Sequence, residues 1–258
     1  MYSQVKYPAL QPFEHVGAGF RALKHPGPRS FLANSSAIEM SPEFGLDVRG
    51  CNLAELTAEH KDQLALESRA VVWSSSGINR TSSTVGPAFI LNGLVASVLC
   101  TSTPLQAILT AITKSTWFTN CSFELQPAGL TTFFLLAQPK TGGDTLYSSQ
   151  VLNFRSLSPI MQDFLRTLKA THGRRQPAFE AGRNELWLNF LYDHIVKCGD
   201  HQARIKWEPM SVVIWDNRIT AHTATYDYAH MKDLRHGARI SAQAERPIPA
   251  VGSMKMVN

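Results

Sequence analysis

The run Trp215-Asp216-Asn217-Arg218-Ile219-Thr220-Ala221-His222 reads as an apolar strand ending in a polar turn that presents a histidine. Arg235 follows, with Arg239 close behind it in Arg235-His236-Gly237-Ala238-Arg239. A strand-end imidazole with a guanidinium on the next strand suits a metal-plus-carboxylate site. The imidazole would bind the ion, and the guanidinium would clamp a dicarboxylate through two parallel hydrogen bonds. Alone the pattern is weak, because a single histidine near a strand end is more often structural.

The rest of the chain must position these groups. With 258 residues, 44% hydrophobic and 17% charged, it has an ordinary globular composition and one domain as the default, 1–258. The formal charge of +5 is thin and dispersed. Arg174-Arg175 and Lys232–Arg239 are too short for a nucleic-acid face, so no nucleic-acid partner is expected and a pocket for anionic small molecules is the simpler use. Cys51, Cys100, Cys121 and Cys198 lack paired spacing and read as reduced thiols. With no leader pattern at the N-terminus, a cytoplasmic location is expected. Homo- and hetero-oligomers stay open.

Residues Met1 to Glu43 read as an extended arm, and Phe44–Leu53 holds a short strand. Thr57–Ser68 reads as a helix capped by Thr57, and Val71-Val72-Trp73 as a buried strand. The interval 82–116, without charge up to Thr113, reads as an atypical insert. Its apolar part, Ala88–Cys100, is broken by Asn92-Gly93, which favours a buried core segment over a membrane span. Thr131–Ala137 and Thr145–Ser149 are strands flanking the turn Lys140-Thr141-Gly142-Gly143. Ser158-Pro159 starts a helix striped by Ile160, Phe164 and Leu168 and ended by Gly173. Asn184–Cys198 is a second helix with Leu186, Phe190, Leu191 and Ile195 inward. Ala203–Trp207, Ser211–Trp215 and Ala238–Ala242 complete the strands. Without βαβ alternation, the expectation is mainly β with helical cover (α+β).

WDNRITAH, RHGAR (Arg235–Arg239), PKTGGDTLYSSQ (Pro139–Gln150) and WFTNCSFELQPAGLTTFFLL (Trp117–Leu136) together resemble the taurine dioxygenase (TauD/TfdA-like) family. Its fungal members are especially similar, through LNFLYDHI and AQAERPIP. The resemblance covers roughly 7–72, 117–172 and 184–249. It implies a double-stranded β-helix (jelly roll), here incomplete, and a dioxygenase that uses Fe(II) and 2-oxoglutarate to oxidise a small organic substrate. It also implies a two-His, one-carboxylate iron site. By position, His222 matches the distal histidine ligand and Arg235 the arginine that pairs with the far carboxylate of 2-oxoglutarate. Thr145 matches its supporting hydroxyl, and Arg239 a second arginine near the substrate.

Where the family writes Trp-His-x-Asp, this chain has Trp117-Phe118-Thr119-Asn120. Phe118 has no lone pair for a metal, and Asn120 offers a neutral amide oxygen. His60-Lys61-Asp62, the one literal His-x-Asp, falls on a solvated helix face. His194 reads as half-buried packing. His172, His201, His230 and His236 lie in loops or at element ends, and only His236 adjoins the arginines. No spacing restores three ligands. A strand lining the family's site is also missing between His172 and Asn184. Three readings follow: a dioxygenase, a non-catalytic pseudoenzyme or partner subunit, and a metal-independent lyase or isomerase with His222 as acid–base. A defective gene product is a fourth.

Overall fold

The computed structural model describes residues 14, 16–24, 30–68, 73–76, 96–101, 117–120, 122, 124, 126–168, 183–209, 211–228 and 233–246, with backbone alone in parts of these ranges. The strands are β1 (Ser36–Glu39), β2 (Leu46–Arg49), β3 (Trp73–Ser76), β4 (Ala96–Thr101), β5 (Ala128–Ala137), β6 (Thr145–Ser149), β7 (Gln202–Ile205), β8 (Val212–Asp216), β9 (Thr220–Ala224) and β10 (His236–Gln243). The helices are α1 (Ala18–Leu23), α2 (Ala58–Glu67), α3 (Gln150–Arg155), α4 (Pro159–Thr167) and α5 (Arg183–Lys197). The architecture is mainly β with helical cover.

One sheet runs β1-β2-β3-β8-β5-β10-β4 and a smaller one runs β7-β6-β9. Among the described strands, only β2 and β3 pair in parallel. The unbroken apolar run of β8 follows from its central place in the larger sheet, where both faces are buried. Val213 and Trp215 pack with Tyr147, Ala203 and Ile205 of the smaller sheet. Val212 and Ile214 face the other way, against Phe31, Val48, Leu53 and Leu64.

The turn at Lys140–Gly143 does not fold β5 back onto β6. It carries the chain from the larger sheet to the smaller, with successive left-handed glycines at Gly142 (φ 75°) and Gly143 (φ 71°). Glu208-Pro209 likewise leads from β7 in the smaller sheet to β8 in the larger. These crossings bring the ends of β6, β9 and β10 together.

Several expectations need correction. The N-terminal arm is not uniformly extended: it contains α1 and β1, and Arg21 of α1 forms a two-bond ion pair with Asp62 of α2. His60-Lys61-Asp62 is therefore partly covered rather than a wholly solvated face. The 82–116 insert contributes β4, which pairs along β10 and covers its edge. Thr57, Ser149 and Ser158 cap α2, α3 and α4, but α4 stops at Thr167, before Gly173. Leu168 is already extended, and the Thr167 hydroxyl donates to the Phe164 carbonyl at 2.7 Å, satisfying a terminal acceptor without a glycine. The stripe of α4 is not buried either, with Ile160 84% exposed. On α5, Leu191 and Ile195 are half-buried as expected, whereas Phe190 is exposed. Val71, Val72, Cys121, His172, Gly173, His230 and the expected missing strand before Asn184 lie outside the described residues. Cys51 and Cys198 are free thiols. Among the described residues, no helix is long and apolar enough to cross a membrane.

Ile205 is fully buried between the sheets. Ile205→Ala should lower unfolding stability by about 2–5 kcal/mol in urea titrations, from lost burial plus the cavity left behind.

Candidate functional site

His222 lies in mid-β9, opposite Tyr147 of β6. On its other side Phe118 forms an isolated bridge, with backbone bonds of 3.0 and 2.9 Å in the two directions. The imidazole is thus packed among rings: Phe118 at 4.4 Å between centroids, Trp215 at 5.2 Å and Tyr147 at 5.7 Å. Its Nδ1 is buried without a hydrogen-bond partner among the described residues. Burial, and secondarily the Arg239 charge, push its pKa down to about 3, so the ring is neutral at neutral pH. Burial also pushes the Tyr147 phenol up, against the lowering effect of Arg235 and Arg239.

Asn120 is buried and held by Asn217 of the WDNRITAH run. Its N–H donates to Asn217 Oδ1 at 2.9 Å, and its carbonyl accepts from Asn217 Nδ2 at 2.7 Å. Its side-chain Oδ1 accepts from Arg239, while its Nδ2 is buried without a partner. Phe118 and His222 are therefore in contact, and Asn120 is tied to Arg239.

The second half of the site surrounds Arg235. Its Nε donates to the Gly143 carbonyl at 2.9 Å and Nη2 to Thr145 Oγ1 at 3.1 Å, with the Phe133 ring 5.9 Å from the guanidinium carbon. Thr145 Oγ1 also accepts from Trp207 Nε1 at 3.0 Å. A hydroxyl has two acceptor positions and one proton. Trp207 and Arg235 occupy both acceptor positions, which turns the Thr145 proton outward as a donor. Arg235 has no carboxylate partner among the described residues; burial lowers its pKa, though it stays a cation at neutral pH.

These residues do not fit a ferrous ion. Phe118 lies against the imidazole with no donor atom, and the Asn120 oxygen is engaged by Arg239. Among the described residues, no group of three or more His, Cys, Asp and Glu side chains could hold a metal. A carboxylate, by contrast, fits Arg235 and Thr145.

The family described as taurine catabolism dioxygenase TauD, TfdA family matches residues 179–241, which carry His222 and Arg235 as well as Arg239. An alpha-ketoglutarate-dependent sulfonate dioxygenase of Saccharomyces cerevisiae is 28% identical, over 81% of this chain and 67% of that protein. The alpha-ketoglutarate-dependent dioxygenase cnsP of Penicillium expansum is 29% identical, over 92% and 83%. Over residues 179–241 this chain is similar to the TauD/TfdA family. Its fold matches a taurine dioxygenase structure from Burkholderia xenovorans with a TM-score of 0.61 at 18% identity, covering 82% of this chain and 91% of that one. It also matches the structure of AAD-2 in complex with Mn(II) and N-oxalylglycine, with a TM-score of 0.62 at 16% identity, over 83% and 100%.

In this TauD/TfdA-like site the structure joins Thr145 to Arg235, Arg239 to Asn120, and Phe118 to His222. His236 opens β10 opposite Ala137, with its Nε2 buried and unpartnered. His194 bonds Ser156 and Asn153, and His201 bonds Asn153, so neither belongs to the site. Sequence reasoning missed Tyr147, Trp207 and the side-chain role of Asn217. The aromatic residues carry no motif signal, whereas Asn217 stood inside the most informative run.

Two outcomes are expected. Exposed histidine takes up a proton near 6.5 and buried His222 near 3, so the unfolded chain protonates first as pH falls. The stability tied to neutral His222 should be intact above about 6.5 and drop by up to about 1.4 kcal/mol per pH unit on the way to about 3. Urea midpoints followed from neutral pH to about pH 4 should show that slope flattened in His222→Gln. Separately, Phe118→His with Asn120→Asp should restore ferrous-ion binding, read as a weak visible band in anaerobic titration with 2-oxoglutarate, while the unaltered protein shows none.

Proposed function

We propose that this chain is a metal-independent carboxylate-binding member of the TauD/TfdA-like dioxygenases, taking 2-oxoglutarate or a similar dicarboxylate at Arg235 and Thr145 without iron-dependent oxidation. It is the pseudoenzyme reading of an incomplete double-stranded β-helix. The observation that carries it is a half-buried guanidinium without a carboxylate partner among the described residues, beside a hydroxyl that accepts from Trp207 and Arg235 and so keeps its own proton to donate. The relatives' printed dependence on alpha-ketoglutarate supports the ligand class. When bound, iron would supply oxidation chemistry in an intact family member. Arg239 stands ready for a second anionic group if it shares its bond to Asn120. The lyase or isomerase reading is disfavoured, because an imidazole with a pKa near 3 is a poor proton acceptor at neutral pH.

Calorimetric titration of 2-oxoglutarate in chelator-containing buffer tests the proposal. The unaltered protein should bind without metal, and Arg235→Gln should weaken binding about 10–100-fold, the range for charge-assisted hydrogen bonds. Failure to bind without metal, or iron-dependent release of succinate, would overturn it.

A further inference from the structure

We infer that Asp227 is a positioning residue for the Arg235 carboxylate clamp, acting through the backbone of Gly143. This rests on the binding role proposed above. Asp227 Oδ1 accepts from the Gly143 N–H at 2.8 Å and from Thr225 Oγ1 at 2.9 Å. Gly143 then presents its carbonyl to Arg235 Nε at 2.9 Å. One residue is thus held at its N–H by a carboxylate and offers its C=O to the clamp. On the outer side, Arg204 braces the arrangement: its Nε donates to Asp144 Oδ2 at 2.7 Å, and its Nη2 lies 3.7 Å from Asp227 Oδ2.

The two glycines make this approach possible. A β-carbon at Gly142 would sit 2.7 Å from Asp227 Oδ1, and one at Gly143 would lie 3.2 Å from Arg235 Cδ and Tyr228 Cδ1. Both have positive φ, and glycine is the residue that most readily leaves such a conformation when its anchor goes. Without the Asp227 acceptor, the buried Gly143 N–H loses its bond and the turn loses what sets its carbonyl. Arg235 then keeps only Thr145 as a hydrogen-bond anchor, and a ligand must order the guanidinium as it binds. Asp227 meets Arg235 through the Gly143 backbone, while the nearby Tyr228 and, more weakly, Asp144 favour the charged guanidinium. The Gly143 N–H, more than any other influence, holds the Asp227 carboxyl below its ordinary range. The Asp227 side chain is 48% exposed, so its truncation opens no cavity in the core.

The test is calorimetric titration with 2-oxoglutarate in chelator-containing buffer, on the full chain and on D227A, D227N, R235K and D227A/R235K. D227A should weaken binding about 5–20-fold, and D227N, which keeps a neutral acceptor, by less. In the R235K background, where the fork that bonds both Gly143 and Thr145 is gone, D227A should change affinity less than about twofold. Unchanged affinity in D227A overturns the inference. So does an equal loss with and without Arg235, which would mark general loosening. The arginine Nε–H resonance of Arg235 gives a ligand-free readout: slow exchange in the unaltered protein and fast exchange in D227A. If the unaltered protein binds no 2-oxoglutarate, the clamp reading fails. The Nε–H exchange then still decides the Asp227 contact, and equal exchange in both proteins overturns it.

Discussion

Arg235 is half-buried against the Gly143 carbonyl, the Thr145 hydroxyl and the Phe133 ring, and the rest of the site is arranged to make that desolvation tolerable. A guanidinium removed from water is costly unless its N–H groups find acceptors. Both acceptors come from one stretch of chain, Gly143 in the turn between sheets and Thr145 at the first position of β6, whereas the donor Arg235 comes from the segment before β10. The clamp exists only because the chain crosses from one sheet to the other at Lys140–Gly143 and packs β6 across from β10. Trp207, just past β7, completes the set through Thr145 and packs edge-on against Phe133.

The other half of the site has a different character. Phe118 brings a ring with no donor atom, and that ring lies tilted against the His222 imidazole. Asn120 gives its oxygen to Arg239, a bond that a neutral amide can make without an ion beside it. Two buried polar atoms, His222 Nδ1 and Asn120 Nδ2, are left without partners. An unpaired buried polar group costs about 1–3 kcal/mol, so these atoms mark where a fuller donor set would have been satisfied. Arg235 keeps its contact with Thr145 while Phe118 and Asn120 fill the other half, and that combination underlies the proposed carboxylate binding without iron.

Much of the fold was legible because it rests on local patterns. The caps at Thr57 and Ser158, the alternating strands, and the central apolar run of β8 follow from side-chain chemistry and period within a few residues. The end of α4 was misplaced because the stop came from Thr167 bonding its own helix, a choice that competes invisibly with Gly173. The outward Phe190 and the exposed stripe of α4 were misread for another reason: an amphipathic pattern says that a face is apolar, and says nothing of whether the described core reaches it. The strand Ala96–Thr101 was hidden inside an interval whose uniform composition carries no period.

From the sequence alone came the residue types and their order: an imidazole at 222, arginines at 235 and 239, a hydroxyl at 145, and an aromatic and an amide at 118 and 120. Those types already decide that a three-ligand metal set is broken, since donor atoms are a property of the side chain itself. Only the tertiary structure decided that Phe118 lies on His222, that Asn120 is engaged by Arg239, and that Asp227 reaches Arg235 through Gly143. Such contacts join residues up to 119 positions apart, and long-range pairing across two sheets is set by the packing of the whole chain, which no local pattern contains.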